Sequence, residues 1–298
     1  MARERPAWAC EQPEVAVCIV GQLRTASRPK LARNLRTAWD RVGADCVDLY
    51  LHVGLEGRVA TSNHRAYPGA SYENASTAAI ALRPIEWRAT TYPLRLPKAN
   101  CTMDANDATA RSSTVCQKRP SDERDLAAEP NCGHANCTHC STSQFFPQAD
   151  RIAACASMVM AAQRRMARPY RYFVFHRPDM WLYGIPRYKE WSFLDPGLAR
   201  TALFCQGNEA YVGDLFGLVA YSHVSIFAGL GELYSRCQSK RENQAFGCQT
   251  SGWPQWHQSE CIMKTAFNRR GVDTAKATMW ASFLKSCRVI RDAGEKWR

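Results

Sequence analysis

Glu14-Val15-Ala16-Val17-Cys18-Ile19-Val20-Gly21-Gln22-Leu23-Arg24-Thr25 is the stretch that decides how this chain is read. Residues 14–20 form a short, nearly continuous apolar run, the pattern of a strand buried on both faces. Gly21 to Thr25 reads as a turn. Residues 29–42 then read as a helix, with Pro29 in the first turn and Leu31, Leu35, Ala38 and Val42 at helical spacing. A second strand is expected over 46–53. This strand–loop–helix–strand order predicts an α/β fold with a mainly parallel, doubly wound sheet flanked by helices.

Working outward, residues 79–92 are expected to hold a third strand around Ile85-Glu86-Trp87. From 97 to 148 the chain is polar, Cys-rich and without periodicity. That is too long for an ordinary loop, so it reads as a cross-linked insertion or lid. A helix over 148–167, with Ile152, Cys155, Val159, Ala162 and Met166 along one side, leads into Arg171-Tyr172-Phe173-Val174-Phe175-His176-Arg177-Pro178-Asp179-Met180-Trp181. There an aromatic strand stops at His176, and a cation and a carboxylate follow across a stiff proline. Open α/β sheets build sites for charged ligands at the carboxyl ends of such strands. Further strands are expected at 202–205 and 215–221, and helices at 223–234 and 259–270, the latter closed by Gly271. A second irregular insertion covers 237–252, and an apolar stretch over 278–290 precedes a basic tail. The whole, 1–298, is expected to be one domain with residues 1–13 as an extension.

The formal charge of +12 and pI near 9.2 favour anionic partners. Lys and Arg are spread along the chain and no nucleic-acid-binding signature accompanies them, so no specific nucleic acid is expected. No window is long and apolar enough to span a membrane. Fourteen cysteines, many in the two irregular stretches, read as a disulfide framework formed in an oxidising compartment. Sequons at Asn74, Asn100 and Asn136 point the same way, to a glycoprotein. Residues 1–14, however, hold no apolar core of a targeting segment. The expectation is a Golgi-lumenal or extracellular protein whose targeting segment lies outside this sequence; the alternative is a cytoplasmic protein with reduced thiols.

Four constellations could carry chemistry. Gly21, Gln22, Arg24 and Thr25 follow the first strand, where backbone amides and a helix N-terminus can approach a phosphate and Arg24 can neutralise it. The turn is neither GxGxxG nor a P-loop, and taken alone it also fits a turn glycine beside a surface arginine. Arg177 and Asp179 suit an anion and a divalent cation, or equally an internal ion pair capping a strand. Asp214 interrupts an apolar run, and Glu260 opens a helix near His257. Each of these three could serve as a general base, His257 also as a metal ligand, with a strand-end carboxylate and a helix-dipole partner as the plain alternatives for the acids. Last, Cys132, Cys137, Cys140 and His139 have a spacing that zinc could use, although disulfides suit a lumenal chain better. Neither a Gly-x-Ser-x-Gly elbow nor a His-Glu-x-x-His helix is present.

Three of these segments together carry a resemblance. They are Val17-Cys18-Ile19-Val20-Gly21-Gln22-Leu23-Arg24-Thr25, Val47-Asp48-Leu49-Tyr50-Leu51-His52, and Phe173-Val174-Phe175-His176-Arg177-Pro178-Asp179-Met180. The set resembles GT-A-like glycosyltransferase relatives among bacterial surface-polysaccharide enzymes and algal or viral open reading frames. In these an R-x-D segment stands where other GT-A enzymes carry Asp-x-Asp. The resemblance covers about 15–53 and 145–270 and leaves the Cys-rich insertion unmatched. It implies a nucleotide-sugar donor held at Gly21, Gln22, Arg24, Thr25, Arg177 and Asp179, with Mn2+ or Mg2+ at Asp179. It also implies transfer to a glycan, protein or lipid hydroxyl; by their own placing in the sequence, Asp214, Glu260 or His257 would act on the acceptor. A non-catalytic, lectin-like protein on the same fold and a zinc-containing polyanion binder are the rival expectations.

Overall fold

The computed structural model describes residues 13–23, 28–43, 47–55, 70–91, 141–165, 170–182, 195–204, 215–235, 259–276 and 288–289, with single positions at 185, 187, 188, 191, 213 and 245. Strand β1 (Val15–Gln22) is buried along nearly its whole length, as its apolar run requires. Val15, Val17 and Ile19 enter one core and Ala16, Cys18 and Val20 the other. The strand runs two residues further than the sequence suggests, so Gly21 and Gln22 still pair with the next strand. Helix α1 (Pro29–Gly43) and β2 (Val47–Gly54) follow as expected.

Helix α2 (Tyr72–Leu82) is a departure, because only a strand was expected near it. Its start is a capping box: Ser71 Oγ accepts from the Asn74 amide at 3.1 Å, and the Ser71 amide donates to Asn74 Oδ1 at 3.0 Å. Strand β3 (Glu86–Thr90) lies where expected. Helix α3 (Ser141–Gln163) begins seven residues before the predicted start. It packs across β1 and β2 and returns the chain to β4 (Tyr172–His176). The rest comprises β5 (Met180–Trp181), α4 (Asp195–Leu198), β6 (Thr201–Phe204), β7 (Phe216–Ala220), α5 (Val224–Ala228), α6 (Leu230–Ser235), α7 (Ser259–Asn268), β8 (Asp273–Lys276) and β9 (Arg288–Val289). The single helix expected over 223–234 is divided at Gly229 into α5 and α6.

Seven strands form one sheet in the order β3-β2-β1-β4-β7-β6-β8; β5 and β9 make a separate two-stranded ribbon. The large sheet is mainly parallel, and β7 alone runs against its neighbours β4 and β6. The α/β class with a mainly parallel sheet is therefore what the molecule has. Helices α1 and α2 cover one face over Leu35, Trp39, Leu51 and Leu82. Helices α3, α5, α6 and α7 cover the other, over an aromatic cluster of Phe173, Phe175, Phe204, Phe227 and Phe267. Gly217 makes room for that cluster, since a Cβ there would stand 2.3 Å from Phe175 Cε1. A disulfide joins Cys18 of β1 to Cys155 of α3 through this core, with Cα atoms 6.0 Å apart. The insertions at 97–148 and 237–252 and the sequons at Asn100 and Asn136 lie almost entirely outside the described residues.

Candidate functional site

From β1 the chain steps outward through β2 and β3, then crosses back under α3 to place β4 on the other side of β1. The strand order therefore reverses between β1 and β4, and at such a switch the carboxyl ends of the strands open a crevice. β1 supplies Gly21 and Gln22 to this edge, and β4 supplies His176 and the turn after it. Their register, with Ile19 opposite His176, carries β1 up alongside that turn.

Gly21 is the point of closest approach. Its φ of +142° lies where side-chain-bearing residues are strained. A Cβ on it would meet Gln148 Oε1 and Pro178 Cδ, each at 3.1 Å. Gln148, from α3, also donates to the Val20 carbonyl at 3.4 Å. The Gly21 segment and the Arg177-Pro178-Asp179 turn, predicted separately from sequence, are thus neighbours in space.

In the turn, Arg177 Nε donates to Asp179 Oδ1 at 3.0 Å and its terminal nitrogen to Oδ2 at 2.7 Å, a bidentate pair. Asp179 is 1% exposed and Arg177 19%. The plain alternative of a strand-capping ion pair describes this geometry. The Arg177 amide donates to the Leu215 carbonyl at 2.9 Å, which ties the turn to the start of β7. His176 is fully buried between Trp39 and Phe216, its ring stacked near-parallel on both. Burial pushes its pKa down to about 4, against the opposing pull of the Arg177 carbonyl and Asp179, so it is neutral near pH 7.

A second polar group lies beside the crevice, on the face of β2 under α3. Asp48, Tyr50 and His52 alternate along β2 and so share that face. At the strand start, Tyr170 donates to Asp48 at 2.6 Å and Tyr50 bonds Tyr170 at 2.9 Å. Burial is the largest influence raising the Tyr170 pKa, so its hydroxyl keeps its proton. At the strand end, Thr90 Oγ1 accepts from buried Arg151 at 3.3 Å and bonds His52 Nε2 at 3.2 Å. Burial first, then Arg151 and Arg88, push His52 down to about 4.

Of the residues singled out from sequence, Gly21, Gln22, Arg177 and Asp179 meet at this edge. Arg24, Thr25, Asp214, His257, Cys132, Cys137, Cys140 and His139 lie outside the described residues. Glu260 is the second residue of α7, which packs toward β8, on the far side of the sheet from β1 in strand order. Sequence reasoning missed Asn34, Trp39, Arg151 and Thr90. For Asp48 and His52 the period-two spacing in β2 was the available signal.

A scan against protein-family models and a search of curated proteins found no match to this chain.

Proposed function

We propose that the protein is a GT-A-like glycosyltransferase that moves a sugar from a nucleotide-sugar donor to a hydroxyl on a glycan, protein or lipid. The observation that carries this reading is the meeting of Gly21 with the Arg177-Pro178-Asp179 turn in the β1–β4 crevice. A glycine lying against the turn that carries Arg177 suits a diphosphate, which needs close approach of the backbone and positive charge nearby. In this reading Gly21 and Gln22 approach the diphosphate, while Arg24 and Arg177 neutralise the charge that builds on it as the sugar leaves. Asp179 orients Arg177. Asp214 or His257 would take the proton of the acceptor hydroxyl; Glu260, carried by the helix beside β8, is set apart from this crevice.

Asp179 fits a divalent cation poorly in this geometry, because both carboxylate oxygens accept from Arg177. Among the described residues no three His, Cys, Asp or Glu side chains gather to hold an ion. The closed ion pair also favours a second reading, a glycan- or nucleotide-binding protein without turnover. Melting the protein against nucleoside diphosphates and nucleotide sugars, with and without Mn2+, tests the first reading. A donor at a hundred times its Kd should add about 2.7 kcal/mol of stability. Release of nucleoside diphosphate from the stabilising sugar nucleotide separates transferase from binder. Absence of any stabilisation removes the transferase reading.

A further inference from the structure

We propose that α1 clamps the Arg177-Pro178-Asp179 turn from both ends, making Asn34, Trp39 and His176 positioning residues of the crevice. This rests on the donor-site reading of that turn. At the near end, Trp39 Nε1 donates to His176 Nε2 at 3.0 Å, and His176 Nδ1 lies 3.0 Å from the Arg177 carbonyl. An indole only donates and a carbonyl only accepts, so the two partners fix one neutral tautomer of His176. The ring cannot turn without losing a bond, and the Phe216 ring lies near-parallel to it with centroids 6.5 Å apart. At the far end, the Leu182 amide donates to Asn34 Oδ1 and Asn34 Nδ2 donates to the Leu182 carbonyl, both at 3.0 Å.

Between these anchors lies one tight turn, in which the Met180 amide returns to the Arg177 carbonyl at 3.4 Å. The carbonyl held by His176 is thus the one on which the turn closes. Arg177 and Asp179 then have their backbones fixed at both sides before their side chains meet. The near anchor lies away from any ligand, since Trp39 and His176 are fully buried.

The test uses the full chain carrying Trp39→Phe, Asn34→Leu or Asn34→Asp. Amide hydrogen exchange is followed by mass spectrometry, and affinity is measured with uridine and guanosine diphosphates. Trp39→Phe keeps an aromatic stack and loses one donor; Asn34→Asp keeps the acceptor for the Leu182 amide. Trp39→Phe and Asn34→Leu should each speed exchange across 177–182, leave β1 exchange unchanged, and weaken diphosphate binding about tenfold. Asn34→Asp loses the donor to the Leu182 carbonyl and keeps only the bond from the Leu182 amide, so its affinity should lie between that of Asn34→Leu and the wild type. Wild-type exchange across 177–182 in both variants, or an equal rise in β1, overturns the clamp. Should the wild type bind no diphosphate, the donor reading falls, and the exchange pattern alone decides the clamp.

Discussion

Removing one partner of the Arg177–Asp179 pair strands the other where water scarcely reaches, since Asp179 is 1% exposed. Arg177→Ala should therefore cost about 3–5 kcal/mol, most of it from leaving the buried Asp179 carboxylate without its guanidinium. Arg177→Met with Asp179→Leu should cost much less, because neither charge is then left alone. Urea unfolding of the single and double variants checks this; equal losses would mean that the pair holds no buried charge together. The type of residue at this strand end was legible, because a cation and a carboxylate directly follow an apolar run. The bidentate fork was not legible, because it depends on how the turn folds back over Pro178. His176 was legible only as the place where the run stops. Its role comes from Trp39, 137 residues earlier in the chain.

At the scale of elements, β1 and α3 are joined by packing and by the Cys18–Cys155 disulfide, across a sequence separation of 137 residues. A crosslink closing so long a loop stabilises by about 5 kcal/mol at most on chain-entropy grounds. Cys155→Ala should lose a substantial part of that in denaturant unfolding. Peptide mapping without reductant should recover Cys18 and Cys155 linked; finding both thiols free to alkylate would contradict the pairing. Disulfides were expected in the irregular insertions, and this one sits where the sequence shows only apolar periodicity. Both cysteines simply look like core residues. Helix α1 was readable because Pro29 and its leucines mark start and face. Helix α2 was not, because its Ser71–Asn74 cap coincides with a sequon and its buried face is chiefly alanine. Strand β8, Asp-Thr-Ala-Lys, carries almost no apolar signal; its pairing with β6 makes it a strand. The antiparallel direction of β7 follows from its connections, which no local pattern encodes.

Across the whole molecule, two buried histidines tie stability to pH. His52 and His176 both have folded pKa values near 4 against 6.5 in the open chain. Above pH 6.5 both states hold them neutral, so their contribution is fully present. Between 6.5 and about 4 the unfolded chain binds the protons first, and stability falls by about 3 kcal/mol per histidine. Asp150, whose pKa burial raises, works weakly in the opposite sense. Urea midpoints between pH 7.5 and 4.5 should therefore drop steeply, and His176→Phe should flatten the drop; a flat profile in the wild type would contradict the burial of both rings.

The central claim is that the β1–β4 crevice receives a nucleoside diphosphate. The nucleotide titration read at residue resolution, by backbone amide NMR, tests it most directly. The account predicts saturable shifts concentrated at Gly21, Gln22 and Arg177, weakened in Arg177→Ala. Shifts confined to the β6–β8 side of the sheet, or none at millimolar ligand, would contradict it.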